Sequence, residues 1–576
     1  MINKVSIKPI GWLKRMMEDE VRRGVVQHVP ALLPDLFGDD IFFHDRIGPH
    51  TKPKHLGTLE NDDSWNVQFF WWNSETIGNY FDGLMRYGHY LDHPEIKKQA
   101  QVFVEHILSS QDTDGYIGIY TKDFRYRFNS ENGELWAKTT VGRLLLSYGE
   151  LTGDNRALNA VIRMTQNVML AWPIHQSTPF KGTNSFAGVA HGLMFVDVLY
   201  HLYERTHDRM YLDYALFLYE DYNRHEVSEP DCLIKNLQDP SYRFKGHGVH
   251  TYEHLRVVAL YDTFSGKDLH LYENYIKKLQ LVLSPSGGPI GDEWIIQNIA
   301  NSDHHGYEFC SIHELMASLL FVSKLGRDDQ YDLAKKIFIN ANLGSRHQEF
   351  RTIAYLKSDN SYAMEGCFHR PQPHSPHKIQ TRYKYSPTHQ DAAVCCVPNS
   401  VRITPYFLDG VITIKDNHVS LNMLAPLEAQ FVIKGKTYFL NVIQDTPYGN
   451  AKVETDLGDL LIRKHSVNNQ NIEIKKDLVG NIYFEYSGIV FAYPIPSINH
   501  SVKSHLFGLK DSYVVPINQH IPLTYHGDLP HVVNRSSTPI IQVPLYQNDQ
   551  KIESLLVPIG ETNLRQVTFK LRRDDC

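Results

Sequence analysis

The sequence predicts an α+β chain of more than one domain, helical over residues 1–405 and strand-rich over residues 406–576. Three observations predict this. The chain has 576 residues, more than one ordinary core accommodates. Helical stretches in the first part stop at similar turns, 54 to 60 residues apart. Beyond residue 405, apolar residues shift to short runs of β-favouring types broken by Gly, Asn and Asp.

The helical part can be followed turn by turn. Residues 141–151 carry apolar side chains at helical spacing and end in Leu151-Thr152-Gly153-Asp154. Residues 189–203, with Leu193, Val196, Leu199 and Leu202, end in Arg205-Thr206-His207-Asp208. Residues 254–261 run into Ser265-Gly266-Lys267-Asp268, and Tyr90-Leu91-Asp92-His93 before Pro94 is an earlier stop of the same kind. New helical stretches begin at Arg156 and Met210, so the period suits a repeated helical hairpin. Hairpins closed in a ring make an (α/α) toroid, and an open solenoid satisfies the same period. One more amphipathic helix is expected over 312–325. Runs at 411–414, 418–423, 429–433, 437–442 and 482–486 predict a β-sandwich.

Composition excludes some functions. Net charge is −7 with both signs well mixed, which argues against a nucleic-acid partner. No run of about 18 apolar residues exists, so no membrane span is expected. The N-terminal Met1-Ile2-Asn3-Lys4 leads into no apolar signal region, so a cytoplasmic location is expected, or a periplasmic one if a leader has been removed. Six cysteines (Cys232, Cys310, Cys367, Cys395, Cys396 and Cys576) are too few for a disulfide scaffold. Adjacent cysteines rarely bridge each other, so Cys395-Cys396 reads as two free thiols or two thiolates on a metal.

Four groupings offer chemistry. Glu308-Phe309-Cys310 with Cys395-Cys396 supplies one carboxylate and three thiolates, enough for a tetrahedral ion. Residues two apart converge on one ion only in a turn or irregular segment, and by spacing alone ordinary buried cysteines are the commoner outcome. Gly287-Gly288-Pro289-Ile290-Gly291-Asp292-Glu293-Trp294 sets two acids beside a tryptophan that can stack on a sugar or raise the pKa of Glu293. A solvated turn is the plainer account. The tract 368–377 holds three histidines among three prolines and reads as an extended loop rather than a metal site. The aromatic block Phe69-Phe70-Trp71-Trp72, followed by Glu75 and Tyr80-Phe81, fits either a sugar cleft or a helix burying an aromatic face.

Taken together these pieces resemble glycoside hydrolase family 127, the β-L-arabinofuranosidase-like enzymes. The family signature, Glu-x-Cys followed by Cys-Cys-Pro-Pro-Asn, is matched by Glu308-Phe309-Cys310 and Cys395-Cys396-Val397-Pro398-Asn399. Segment 331–343, Gly246-His247-Gly248, Gln444-Asp445-Thr446-Pro447-Tyr448 and Gly488-Ile489-Val490-Phe491-Ala492 also look like family stretches. The resemblance implies an (α/α)6 barrel followed by a β-sandwich. It implies a retaining, exo-acting hydrolase that releases a β-L-arabinofuranose-like pentose, branched or carboxylated variants included, from a plant or algal oligosaccharide. It further implies Zn2+ held by Glu308, Cys310, Cys395 and Cys396, with Cys395 as nucleophile. The family's acid/base glutamate falls at Asp292 by distance, with Glu293 beside it, and Glu293 is preferred. His191, His247 and Trp294 are the expected sugar contacts, and a homodimer is compatible with this reading. Val397 replaces a family proline, and Thr139-Thr140 stands where the arabinofuranosidases have Gly-His, which puts the exact sugar in question. A polysaccharide lyase or sugar epimerase on a helical toroid, and a non-catalytic carbohydrate-binding protein with structural zinc, are the competing expectations. Neither lyase nor epimerase chemistry needs a cysteine pair.

Overall fold

A computed structural model describes residues 2–51, 71–126, 133–181, 188–348, 352–362, 385–386, 393–415, 418–458, 460–462, 471–503, 510–534 and 538–572. Its longer helices, in chain order, are α1 (Gly11–Arg22), α2 (Trp71–Tyr90), α3 (Pro94–Ser109), α4 (Glu134–Thr152), α5 (Asn155–Ala171), α6 (Phe195–Thr206), α7 (Arg209–Tyr222), α8 (Leu255–Phe264), α9 (Phe309–Leu325) and α10 (Cys396–Val411). Short strands dominate from Ile412 onward, so a helical N-terminal part precedes a strand-rich C-terminal region.

The expected helix stops are built alike. Helix α4 ends at Thr152, where Gly153 takes φ +77°, and Asp154 then caps α5 by accepting from Arg156 N at 2.9 Å. Helix α6 ends at Thr206, His207 takes φ +57°, and Asp208 caps α7 by accepting from Met210 N at 3.0 Å. In both, the threonine hydroxyl accepts from the capping aspartate's N–H. The turn thus satisfies the donors and acceptors that helix ends leave open. Pro94 opens α3 at its first turn, where no N–H is needed.

The described residues group into two compact units. One holds residues 27–278 with 389–402, and the other holds 1–26, 279–388 and 403–576. The sequence expectation divides the chain at residue 405 instead, so residues 1–26 and 279–388 fall on opposite sides of the two groupings. In the first unit, α2 is buried on nearly every side, as is most of α4, while α5 buries one face through Ala157, Val161, Met164 and Val168. Helices α2 and α4 approach closely: a β-carbon on Gly78 would lie 2.3 Å from Thr140 Oγ1.

In the second unit, strand Ile2–Pro9 pairs antiparallel with Leu427–Ile433, which continues into Lys436–Gln444 and Ala451–Thr455. A larger sheet runs from Glu473–Lys476 through Ile489–Pro494 and Gln550–Pro558 to Lys570–Leu571. Val490, Ala492, Ile559 and Val567 form a small apolar core in this region. No described helix is long and apolar enough to cross a membrane.

Candidate active site

Each cysteine motif lies at the start of a helix. Glu308 ends the strand Tyr307–Glu308 in extended backbone, φ −79° and ψ 145°, and directly precedes α9, so Cys310 is in that helix's first turn. Its carboxylate makes no capping hydrogen bond within α9. Cys396 opens α10, and the Cys395 carbonyl accepts from Asn399 N at 3.2 Å in that helix's first turn. Helix N-termini carry about half a positive charge, which favours thiolate over thiol.

The four side chains come together: their ligand atoms lie within 4.8 Å of one another. The strand-to-helix junction is the irregular geometry that two residues of an x-separated pair require to face one point. The Cys395 and Cys396 sulfurs are 3.9 Å apart. Sulfurs around a tetrahedral ion with ~2.3 Å metal–sulfur bonds lie ~3.8 Å apart, so this donor set fits a metal. Glu308, Cys310 and Cys396 are buried, and Cys395 alone of the four is partly exposed.

Cys395 is fixed against α2. Thr76 Oγ1 donates to the Val394 carbonyl at 2.8 Å, and Arg402, one helical turn beyond Asn399, reaches Asp82 at 3.3 Å. Both partners are on α2, one and seven residues after Glu75. The Glu75 carboxyl is 3% exposed, and Trp136 Nε1 donates to its Oε2 at 2.8 Å. Burial raises its pKa to about 7, with the Cys395 sulfur adding in the same direction and His191 opposing. His191 stacks on Trp136 with centroids 4.4 Å apart and an interplanar angle of 10°. Its Nε2 is 3.9 Å from Glu75 Oε2, and its Nδ1 is 2.7 Å from Glu253 Oε1.

His247 joins this group through His250, whose ring lies 4.9 Å from that of His247 and 4.2 Å from that of His191. Burial, followed by neighbouring His250, lowers the His247 pKa to about 3, while the negative charges of Glu229 and Cys395 oppose that shift. Two buried acids hold the His247 backbone: Glu229 accepts from His247 N at 2.8 Å, and Asp231 accepts from Gly246 N at 2.9 Å.

The Gly-rich loop is not a solvated turn. Asp292 is buried and its Oδ2 lies 3.4 Å from Gly306 N, while Glu293 and Trp294 are partly exposed. Tyr355 donates its hydroxyl proton to Glu293. Tyr355 also accepts from Phe309 N at 3.0 Å, and the next residue, Leu356, pairs across the sheet with Glu308. Glu293 is thereby tied to the strand that presents Glu308 and Cys310.

Sequence reasoning named Glu75 only as a neighbour of the aromatic block and missed Trp136, Glu253 and Glu229. The available signal was a carboxylate three residues after a tryptophan pair, in a helix that is buried along nearly its whole length. Of the aromatic block, Trp71 and Trp72 open α2, while Phe69 and Phe70 lie outside the described residues. Cys367, the 368–377 tract and Cys576 also lie outside them. Cys232 is buried, its thiol directed at the Thr251 carbonyl.

Comparison with known proteins follows the same lines. Residues 42–251 match the family profile described as β-L-arabinofuranosidase, GH127 catalytic domain. No curated protein sequence matches the chain. Among solved structures, a GH127 β-L-arabinofuranosidase from Geobacillus stearothermophilus T6 is similar with a TM-score of 0.66 at 14% identity, covering 99% of this chain and 100% of that one. A GH127 β-arabinofuranosidase gives a TM-score of 0.62 at 13% identity over 99% of this chain and 98% of that one. A further glycoside hydrolase gives 0.63 at 12% identity over 88% and 96%. At these identities the structural likeness establishes a shared fold, and the profile match adds the catalytic region. The profile match over residues 42–251 and the shared fold make the chain a glycoside hydrolase similar to the GH127 β-L-arabinofuranosidases.

Proposed function

We propose that this protein is a retaining, exo-acting glycosidase that removes a β-L-arabinofuranose-like pentose from an oligosaccharide by way of Cys395. In this reading residues 1–405 carry an (α/α)6-barrel catalytic domain and residues 406–576 a β-sandwich. The observation that carries the proposal is the cluster of Glu308, Cys310, Cys395 and Cys396, with Cys395 the one member partly open to solvent. A Zn2+ ion bound by these four groups would keep the sulfurs deprotonated at neutral pH, where a free thiol of pKa ~8.5 is mostly protonated.

The chain's own groups then divide the work. The Glu293 carboxylic acid gives its proton to the glycosidic oxygen as the Cys395 sulfur attacks the anomeric carbon. The carbon–oxygen bond breaks, a carbon–sulfur bond forms, and the rest of the glycan leaves as an alcohol. The Glu293 carboxylate next takes a proton from water, whose oxygen attacks the same carbon. The carbon–sulfur bond breaks, and two inversions give net retention. His191, His247 and Trp294 hold the sugar.

Substituting Cys395→Ala tests this directly. Turnover of p-nitrophenyl β-L-arabinofuranoside should fall at least 10³-fold, with circular dichroism unchanged and wild-type protein carrying about one zinc per chain by elemental analysis. Near-normal rates in the variant would remove Cys395 from the nucleophile's role. Glycan binding without hydrolysis, by a wild-type protein that releases its metal only on unfolding, would favour a carbohydrate-binding protein instead.

A further inference from the structure

The buried carboxylate of Glu75 has no place in the two-step scheme above, yet it sits where the sugar must lie if that scheme holds. Thr76 and Asp82 lock α2 to Val394 and Arg402, which places Glu75 at the level of Cys395. Among the described residues, the hydrogen bond and the ion pair to this carboxylate are both to Oε2, from Trp136 Nε1 at 2.8 Å and His191 Nε2 at 3.9 Å. Oε1 is left for a ligand. A carboxylate oxygen in a largely enclosed site gains from a donor, and a sugar hydroxyl is a donor of the right kind.

His191 opposes the negative charge at Glu75, and two more carboxylates stand close by. Glu253 lies on the far nitrogen of His191, and Glu229 lies behind His247. His247, His250 and His254 are all held neutral by burial. On neighbouring helices Arg143, through Nε, and Arg256 lie on Asp197, and Arg86 and Arg402 lie on Asp82.

We infer that Glu75 is a specificity-determining residue that binds a hydroxyl of the sugar at the Cys395 site and restricts the enzyme to neutral pentoses, against carboxylated ones. This rests on the Cys395 reading and narrows its substrate class. A hydroxyl donates to Oε1, whereas a sugar carboxylate brings negative charge to an enclosed carboxyl group and offers no proton.

The test compares p-nitrophenyl β-L-arabinofuranoside with its C5-carboxylate analogue. Wild-type enzyme should favour the neutral glycoside at least 100-fold in kcat/KM. Glu75→Gln should lower kcat/KM for the neutral substrate 10- to 100-fold, largely through KM, and narrow the neutral-to-carboxylate ratio at least tenfold. A merely structural role would depress both substrates equally and leave the ratio unchanged, which would overturn the inference. So would a wild-type preference for the carboxylated analogue. If Glu75→Gln does not fold, the wild-type ratio and the same measurements on Glu75→Asp decide. Cleavage that is lost in Cys395→Ala, with a ratio insensitive to Glu75, sinks the specificity role and leaves the nucleophile reading intact. No turnover of either glycoside by wild type overturns both.

Discussion

Glu293 takes φ +70°, a left-handed conformation that costs a residue with a β-carbon about 1–2 kcal/mol. Ile296 and Gln297, in the same loop, also have positive φ, at 46° and 64°. A loop that keeps such conformations is over-determined by its surroundings, and here the Tyr355 hydroxyl, hydrogen-bonded to Glu293, is part of that constraint. Asp292 differs: it is buried and directed at the backbone N–H of Gly306, which makes it a brace for the loop. This separates two acids that sequence distance alone leaves tied. Glu293→Gln should reduce hydrolysis by ~10²–10⁴-fold, and added azide should restore turnover by replacing water as nucleophile. Asp292→Asn should lower the rate less and show no azide response. Azide rescue of the Asp292 variant in place of the Glu293 variant would exchange their roles. The grouping of Glu308, Cys310, Cys395 and Cys396 was legible because the two motifs stand in a fixed order along the chain. Glu75 was not, since a lone carboxylate in an aromatic stretch acquires meaning only when Trp136, 61 residues on, reaches it.

Helices α2 and α4 carry Glu75 and Trp136, so the distance between them sets the geometry of that pair. Gly78 lies one turn after Glu75 and permits the close approach: a β-carbon there would sit 2.3 Å from Thr140 Oγ1 and 2.5 Å from its Cβ. Glycine inside a helix ordinarily costs about 1 kcal/mol relative to alanine, so propensity alone predicts that Gly78→Ala stabilises. Overpacking should win instead, at about 1–3 kcal/mol, because Thr140 is fully enclosed and its neighbours have no room to give. The melting temperature of Gly78→Ala should therefore drop by several degrees in calorimetry. A rise would mean that the two helices can part without penalty. The helix stops were readable because Thr152–Asp154 and Thr206–Asp208 solve a local problem with local residues. The helix-to-helix spacing was not, as nothing adjacent to Gly78 in sequence announces Thr140.

At the scale of the whole chain, the strand-rich region was legible from its punctuated β-runs, while the role of the N-terminus was not. Ile2–Pro9 pairs with Leu427–Ile433 across more than 400 residues, a partnership that local pattern cannot encode. Arg565 shows a similar long reach: fully buried, it donates to the carbonyls of Gly344, Ser358 and Asp359, beside the segment that pairs with Glu308. The interior of the helical unit has a consequence for the molecule's response to acid. His254 is buried with Nε2 2.7 Å from the Ala190 carbonyl, and burial lowers its pKa to about 4. The unfolded chain takes up a proton at this residue near pH 6.5, while the folded chain does not until near pH 4. Between those values the unfolded state binds more protons, so stability falls as pH falls through this window and the loss is complete below it. A shift of this size corresponds to about 3 kcal/mol from His254. Other groups titrate in the same range, so the decisive measurement is a difference. Glutamine can keep the hydrogen bond to Ala190 without titrating, and His254→Gln should make the decline in melting temperature from pH 6.5 to pH 4 distinctly shallower than in wild type. Equal slopes in the two proteins would show that His254 takes up its proton in the folded state as readily as in the unfolded chain.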